Sequence, residues 1–232
     1  MRIDKFLSQL KYGSRNEIGQ LIKKQHVKIN DETVLKANLQ INPNCDIIKV
    51  NDEIVYYKDE IILALNKPKG YLSANSDSKH QVLFDLIKEP FNRFELKIAG
   101  RLDLDSEGLM ILTTNGQLVH QLTNPKKLIY KTYEVTLNQP FNQTARNELL
   151  TGVTIKDGYN EDYFAKAFSC EYSDQLAIIQ ISEGKFHQVK RMFLAVGFQV
   201  INLKRTQIAN LKLGNLKLGE YREINRKEIT DD

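Results

Sequence analysis

The sequence predicts an α+β fold whose sheet is mostly antiparallel, and three observations carry that reading. Short apolar or alternating runs at 61–65, 109–112, 130–137, 163–168 and 176–182 have the length and period of strands. Helical spacing is confined to a few segments, and strands do not alternate with helices as they do in a parallel α/β chain. Turn formers stand between the runs, among them Asn30-Asp31, Pro68-Lys69-Gly70 and Ser173-Asp174. With 232 residues, 41% hydrophobic and 27% charged, the chain can bury one large core or two small ones.

The elements follow in order. Ile3, Phe6, Leu7 and Leu10 share one helical face over residues 2–12, and Gly13 ends that helix. Ser14 and Glu17 form a capping-box pattern for a second helix, with Ile18, Leu21 and Ile22 on one side. Lys23 and Lys24 fall at its end, where cations suit the helix dipole. Residues 26–29 alternate as a half-buried strand, and 47–50 form another. Residues 56–60 read as a linker, which divides a small domain, 1–58, from a larger one, 59–232. In the larger domain, strand 61–65 is stopped by Lys67-Pro68-Lys69-Gly70, and residues 81–88 are expected to be helical. Asn115-Gly116 marks a tight turn, and Leu118, Val119 and Leu122 belong to a short helix. A helix is expected over 186–196, closed by Gly197. Its apolar face is Phe186, Val189, Phe193 and Val196; His187, Lys190 and Arg191 share the other. Strands over 199–204 and 208–213 complete the domain.

Charge and cysteine content narrow the function classes. The net charge is +4, a mild basic excess compatible with nucleic acid. Residues 1–58 hold ten Lys/Arg against seven Asp/Glu, so most of the excess lies in the first quarter. Cys45 and Cys170 are far apart and lack metal-type spacing, so no disulfide framework or cysteine zinc site is expected. That fits a reducing cytosol. Met1-Arg2-Ile3-Asp4-Lys5 lacks the apolar core of a signal peptide, and no apolar run reaches membrane-spanning length. The expectation is a cytoplasmic protein with no membrane partner.

The chemistry concentrates at 99–109. Asp103, Asp105 and Glu107 lie within five positions beside Arg101, at the mouth of the buried strand 109–112. On residue types alone, a solvated turn with ordinary ion pairs is the alternative reading. A glycosidase-like carboxylate pair is another.

Four motifs in order resemble the RNA pseudouridine synthases, in the small-subunit rRNA branch. They are Asn66-Lys67-Pro68-Lys69-Gly70-Tyr71, then Gly100-Arg101-Leu102-Asp103 with Ser106-Glu107-Gly108-Leu109, then Lys131-Thr132-Tyr133-Glu134-Val135, then residues 183–193 from Glu183 to Phe193. The order helix, Ser14-Arg15, helix, basic strand, turn resembles an S4 RNA-binding domain. The resemblance implies an S4-like domain followed by a mixed-sheet pseudouridine synthase domain. It implies isomerisation of one uridine in 16S rRNA, bound as a ribonucleoprotein by a monomeric enzyme without cofactor or metal. Large-subunit rRNA and a non-catalytic S4-type assembly role are the alternatives.

The resemblance also assigns residues. Asp103 is the catalytic carboxylate, able to attack a carbon centre or stabilise positive charge there. Tyr133 lies against the base or the C2′ proton. Arg191 pairs with Asp103 and orients it. Lys67, Arg101, His187 and Lys190 contact RNA in the larger domain. Arg2, Arg15, Lys23, Lys24 and Lys28 contact phosphates in the smaller one. Asp105 and Glu107 are structural. The chain departs from the family pattern at Asn115-Gly116, where Asp-Gly is common, and at Ala209-Asn210, where glycine is usual.

Overall fold

The structure, a computed structural model, describes residues 1–230. The chain forms two compact units. One is Met1–Ile61 together with Ile87–Leu96; the other is Ile62–Leu86 with the chain from Lys97 onward.

The first unit holds α1 (Ile3–Gln9), α2 (Arg15–Lys23) and the short strands β1 (Val27–Ile29), β2 (Glu32–Thr33), β3 (Ile48–Val50) and β4 (Glu53–Ile54). The capping box forms as its residues predict: Glu17 N donates to Ser14 Oγ at 3.3 Å, and Ser14 N donates to Glu17 Oε2 at 2.7 Å. The strands pair antiparallel in the order β2-β1-β3-β4. Its two hairpins turn at Asn30-Asp31 and Asn51-Asp52, all four residues with positive φ, a conformation that Asn and Asp tolerate. Residues 56–60 do more than link. The Tyr56 ring packs edge-on against Phe91 and Phe94, with centroids 5.7 and 6.0 Å away, and so draws the segment 87–96 into this unit. The Arg93 guanidinium lies 4.1 Å from the centroid of the Tyr12 ring.

The second unit is built on a nine-stranded sheet. Its strands are β5 (Ile62–Lys67), β6 (Lys97–Ile98), β7 (Glu107–Thr113), β8 (Lys131–Leu137), β11 (Ser169–Ser173), β12 (Leu176–Ile181), β13 (Val200–Ile208), β14 (Leu211–Lys212) and β15 (Tyr221–Glu223). The order is β11-β12-β8-β13-β7-β5-β15, with β14 on β13 and β6 on β7. A separate hairpin joins β9 (Val153–Lys156) to β10 (Asp162–Ala165). The helices are α3 (Gly116–Thr123), α4 (Gln143–Thr151) and α5 (Gln188–Ala195). Strands β5 and β7 are buried on both faces, which is why their sequences read as unbroken apolar runs.

Several expectations change here. Residues 81–88 contain only a single 3₁₀ turn, Leu83–Leu86. Backbone bonds from Leu72 N to Gln81 O and from Leu83 N to Leu72 O hold the preceding residues extended and leave no room for a longer helix. Helix α5 begins at Gln188, not at 186, and its buried residues are Gln188, Val189, Met192 and Phe193. Residues 200–208 form one strand, and the chain then folds back through Ala209, which takes φ +50. That left-handed conformation suits glycine better than alanine. Helix α4 has only Ala145 and Leu149 buried, so its apolar period is too weak to announce it. Asn115 serves as the N-cap of α3 and accepts from Gln117 N and Leu118 N.

Strands β13 and β7 pair in parallel, Lys204 beside Glu107 and Arg205 beside Gly108. Gly108 has φ +113, and a Cβ on it would stand 2.3 Å from Arg205 O. No side chain fits there. Gly108→Ala should therefore lower stability by at least about 2 kcal/mol in urea unfolding. By contrast Gly19→Ala, in α2 with no atom within 4 Å of the new methyl, should raise it by about 0.5–1 kcal/mol.

Candidate active site

Residues 101–106 have neither helix nor strand, so donors elsewhere must satisfy their backbone carbonyls. Lys67, the last residue of β5, is fully buried. Its ammonium donates to Ser106 O at 2.7 Å, Asp103 O at 2.9 Å and Pro68 O at 3.1 Å, a partner for each of its three protons. Gly70 N donates to Leu104 O at 2.8 Å. Ser73 Oγ donates to Leu102 O at 2.8 Å and accepts from Leu102 N at 3.1 Å. From the other side Arg205, 2% exposed, donates through Nε to Leu109 O at 2.7 Å and through Nη1 to Arg101 O at 3.4 Å. The loop is thus clamped along its length.

Its carboxylate faces cations from α5. Asp103, whose side chain is 27% exposed, lies 3.5 Å from His187 Nε2 and 3.2 Å from Lys190 Nζ. Lys190 also reaches Asp105 at 2.6 Å and bridges the two acids. Burial alone would raise the Asp105 carboxyl, but the bonded Lys190 brings it below the usual carboxylate range. Asp103, Tyr133 and His187 line one cavity with Arg101, Gly184 and Lys185. Tyr133 reaches it from β8, buried beside Arg205 of β13 across the sheet.

The expected pair between Arg191 and Asp103 does not form. Arg191 Nη1 donates instead to Lys156 O and to Asp157 O, at the end of β9. The reason is helical: successive residues point about 100° apart. Lys190 turns to the acids, and Arg191, one position on, turns to the β9 carbonyls of Lys156 and Asp157; His187, ahead of the helix with φ +52, reaches Asp103 by its own bend. Lys67 likewise points inward rather than toward RNA. Its amine is enclosed by carbonyls and has no exposed donor for a phosphate. Arg101 is exposed at the mouth of the cavity. In the first unit, Arg15, Lys23 and Lys24 are exposed and make no ion pair among the described residues. Arg2 is tied to Asp4 at 2.7 Å and Lys28 to Asp52 at 2.6 Å.

Sequence reading passed over three residues. Lys185 lines two cavities with Asp103 and a third with Tyr133, and lies 3.6 Å over the Tyr163 ring. It is the third residue of Glu183-Gly184-Lys185, to which the resemblance gives no role. Arg205 had a legible signal: it alternates with Leu203 on the inward face of a strand, where a charge needs a partner. Gln188, buried at the start of α5, accepts from Lys185 N at 3.0 Å and donates to Glu183 Oε2 at 3.2 Å, so it ties the 183–187 turn to the helix.

Two amines carry altered proton affinities. Burial pushes Lys67 down to about 8, against the pull of Asp103, Asp105 and Glu107. Burial also pushes Lys131, which lines the cavity beside Tyr133, down to about 8, with the Arg205 guanidinium adding to it. At neutral pH both still hold protons for the most part. In the unfolded chain each would keep its proton up to about 10.4. Between about pH 8 and 10 the unfolded state therefore binds more protons, and stability rises with pH. Lys131→Met should flatten that rise, read as the change in urea midpoint between pH 7.5 and 9.5. Lys67→Met would leave three carbonyls without donors and should destabilise on the order of 3 kcal/mol, read by urea unfolding at pH 7.

Comparison with known proteins gives the family. A family model described as RNA pseudouridylate synthase matches residues 61–195, and the S4 domain model matches residues 1–48. The chain is 39% identical over 231 residues to an uncharacterized RNA pseudouridine synthase of Bacillus subtilis (strain 168), covering 99% of this chain and 97% of that one. It is 35% identical over 231 residues to ribosomal small subunit pseudouridine synthase A of Escherichia coli (strain K12), covering 99% and 98%. A solved structure described as a crystal structure of pseudouridylate synthase superposes with a TM-score of 0.67 at 35% identity, covering 99% and 98% of the two chains. A matched synthase domain over more than half the chain, with full-length relatives above 30% identity, means that this protein belongs to the RNA pseudouridylate synthase family and carries an N-terminal S4 domain.

Proposed function

We propose that this enzyme isomerises one uridine of small-subunit (16S) ribosomal RNA, with Asp103 as the carboxylate that works at the ribose. The reaction breaks the bond from C1′ to N1 of uracil and forms one from C1′ to C5. The proton on C5 is lost and N1 gains one, so no redox partner or group donor enters. Asp103 acts at C1′, and Lys190 and His187 orient it. Tyr133 supports the uracil ring while it turns. Arg101 holds the backbone beside the extruded nucleotide. Arg191 acts at a distance from the reacting atoms, by holding the β9 hairpin against α5.

The observation that carries this reading is the single cavity lined by Asp103, Tyr133 and His187. The choice of rRNA is supported by relatives such as the Yersinia pestis protein, 36% identical over 231 residues and named ribosomal small subunit pseudouridine synthase A. We place the enzyme in the cytoplasm as a monomer, acting on rRNA that already carries ribosomal proteins. Extruding a stacked uridine costs a few kcal/mol, and a looped target lowers that cost. The S4 domain supplies affinity through Arg15, Lys23 and Lys24 rather than chemistry.

Incubating the purified protein with small-subunit rRNA, large-subunit rRNA and tRNA, followed by pseudouridine mapping, tests the substrate. Modification at one small-subunit site is expected; modification of the other RNAs alone would refute the assignment. Asp103→Asn should abolish pseudouridine formation and leave RNA affinity within about twofold; near-normal turnover would remove Asp103 from the chemistry. Replacing Arg15, Lys23 and Lys24 together by serine should weaken RNA binding and make log K against log[salt] shallower by about two units. An unchanged slope would argue that these cations only face solvent.

A further inference from the structure

We propose that the surface of Tyr159 and Phe186 is a seat for one unpaired nucleotide flanking the target uridine, its base stacked on these rings and its phosphate held by Arg101 and Lys185. This rests on the RNA synthase activity but not on which rRNA is the target.

Arg101, Asp157, Gly158, Tyr159, Lys185 and Phe186 line a cavity of about 540 Å³. Arg101 and Lys185 line this cavity and the one that holds Asp103 and Tyr133. A strand that delivers a uridine to Asp103 must pass these two cations, so its neighbouring nucleotide arrives at the second cavity. Phe186, expected in the core, is instead 51% exposed. Its ring stacks on His187 with centroids 3.8 Å apart and planes 20° from parallel. The Arg191 guanidinium lies 5.1 Å from the ring centroid.

Tyr159, at the tip between β9 and β10, is 90% exposed. Gly158 beside it lies against Phe186: a Cβ there would stand 3.4 Å from Phe186 Cβ, an ordinary contact. Exposed rings next to cations match the chemistry of an unstacked base and its phosphate. The one acid of the cavity, Asp157, is occupied by the backbone amides of Tyr159 and Glu161, with Lys185 3.8 Å away. Those amides keep it ionised, and the Lys185 and Arg191 cations beside it counter its charge.

The probe is a single-stranded RNA 12-mer of mixed sequence with 2-aminopurine next to a uridine. Binding to the wild-type protein should quench the probe, as stacking on a ring does. Phe186→Leu keeps the apolar bulk without the ring and should weaken binding about tenfold and lose most of the quenching. Phe186→Tyr should behave as wild type, and Tyr159→Ser should weaken binding several-fold. On rRNA, Phe186→Leu should raise KM far more than it lowers kcat. Absence of quenching with the wild type, or unchanged affinity in both Phe186→Leu and Tyr159→Ser, overturns the proposal. So does a fall in kcat at unchanged affinity, which would mean that the ring merely supports His187. A defect seen only on rRNA carrying ribosomal proteins, and not on naked RNA, would make the surface a protein contact and overturn it too. None of these outcomes depends on the identity of the modified rRNA.

Discussion

A loop that is to hold the Asp103 carboxylate in one place must be rigid, yet residues 101–106 form no ladder or helix that would satisfy their own backbone. Burying such a segment is tolerable only if side chains supply the missing donors. Lys67 and Arg205 do so from two strands that lie on either side of β7. Both are buried cations bonded chiefly to carbonyl oxygens rather than carboxylates. The partial negative charge of several carbonyls offsets part of their desolvation, and what remains shows in the lowered proton affinity of Lys67. The same contacts fix where Asp103 stands, because its own carbonyl is one of the oxygens that Lys67 binds.

The sheet makes this possible through its parallel junction. Pairing β13 with β7 in parallel sets Arg205 beside Gly108, at the end of the loop. The backbones approach so closely that position 108 cannot carry a side chain. Tyr133, opposite Arg205 on β8, is carried to the same cavity by the sheet's register. Distant parts of the chain, β5, β7, β8 and β13, thus converge on one point through backbone pairing.

Helix α5 then divides its cations by geometry. Lys190 and the residue before its first turn, His187, face the acids, while Arg191 holds the β9 hairpin. His187 takes a left-handed φ of +52 to do so, and that bend turns Phe186 out of the core. Strain of this kind is held in place by the surrounding contacts, here the Gln188 bonds to Lys185 and Glu183.

What the sequence determined by itself was local and chemical. The capping box at Ser14, the Asn-Asp hairpin turn at 30–31, the buried runs of β5 and β7 and the order of the motifs all follow from neighbouring residues, whose physics acts over a few positions. Asp103 and Tyr133, named from two separate motifs, line one cavity. The tertiary structure decided which cations meet which acids. Arg191 and Lys190 differ by one position, and only packing against β9 tells them apart. Lys67 and Arg205 read as ordinary basic residues until burial brings carbonyls from 36 to 104 positions away within reach. The segment 87–96 left its neighbours for the first unit because Tyr56 offers rings a place to pack. These are long-range contacts, and periodicity carries no information about the partner on the far side of a fold.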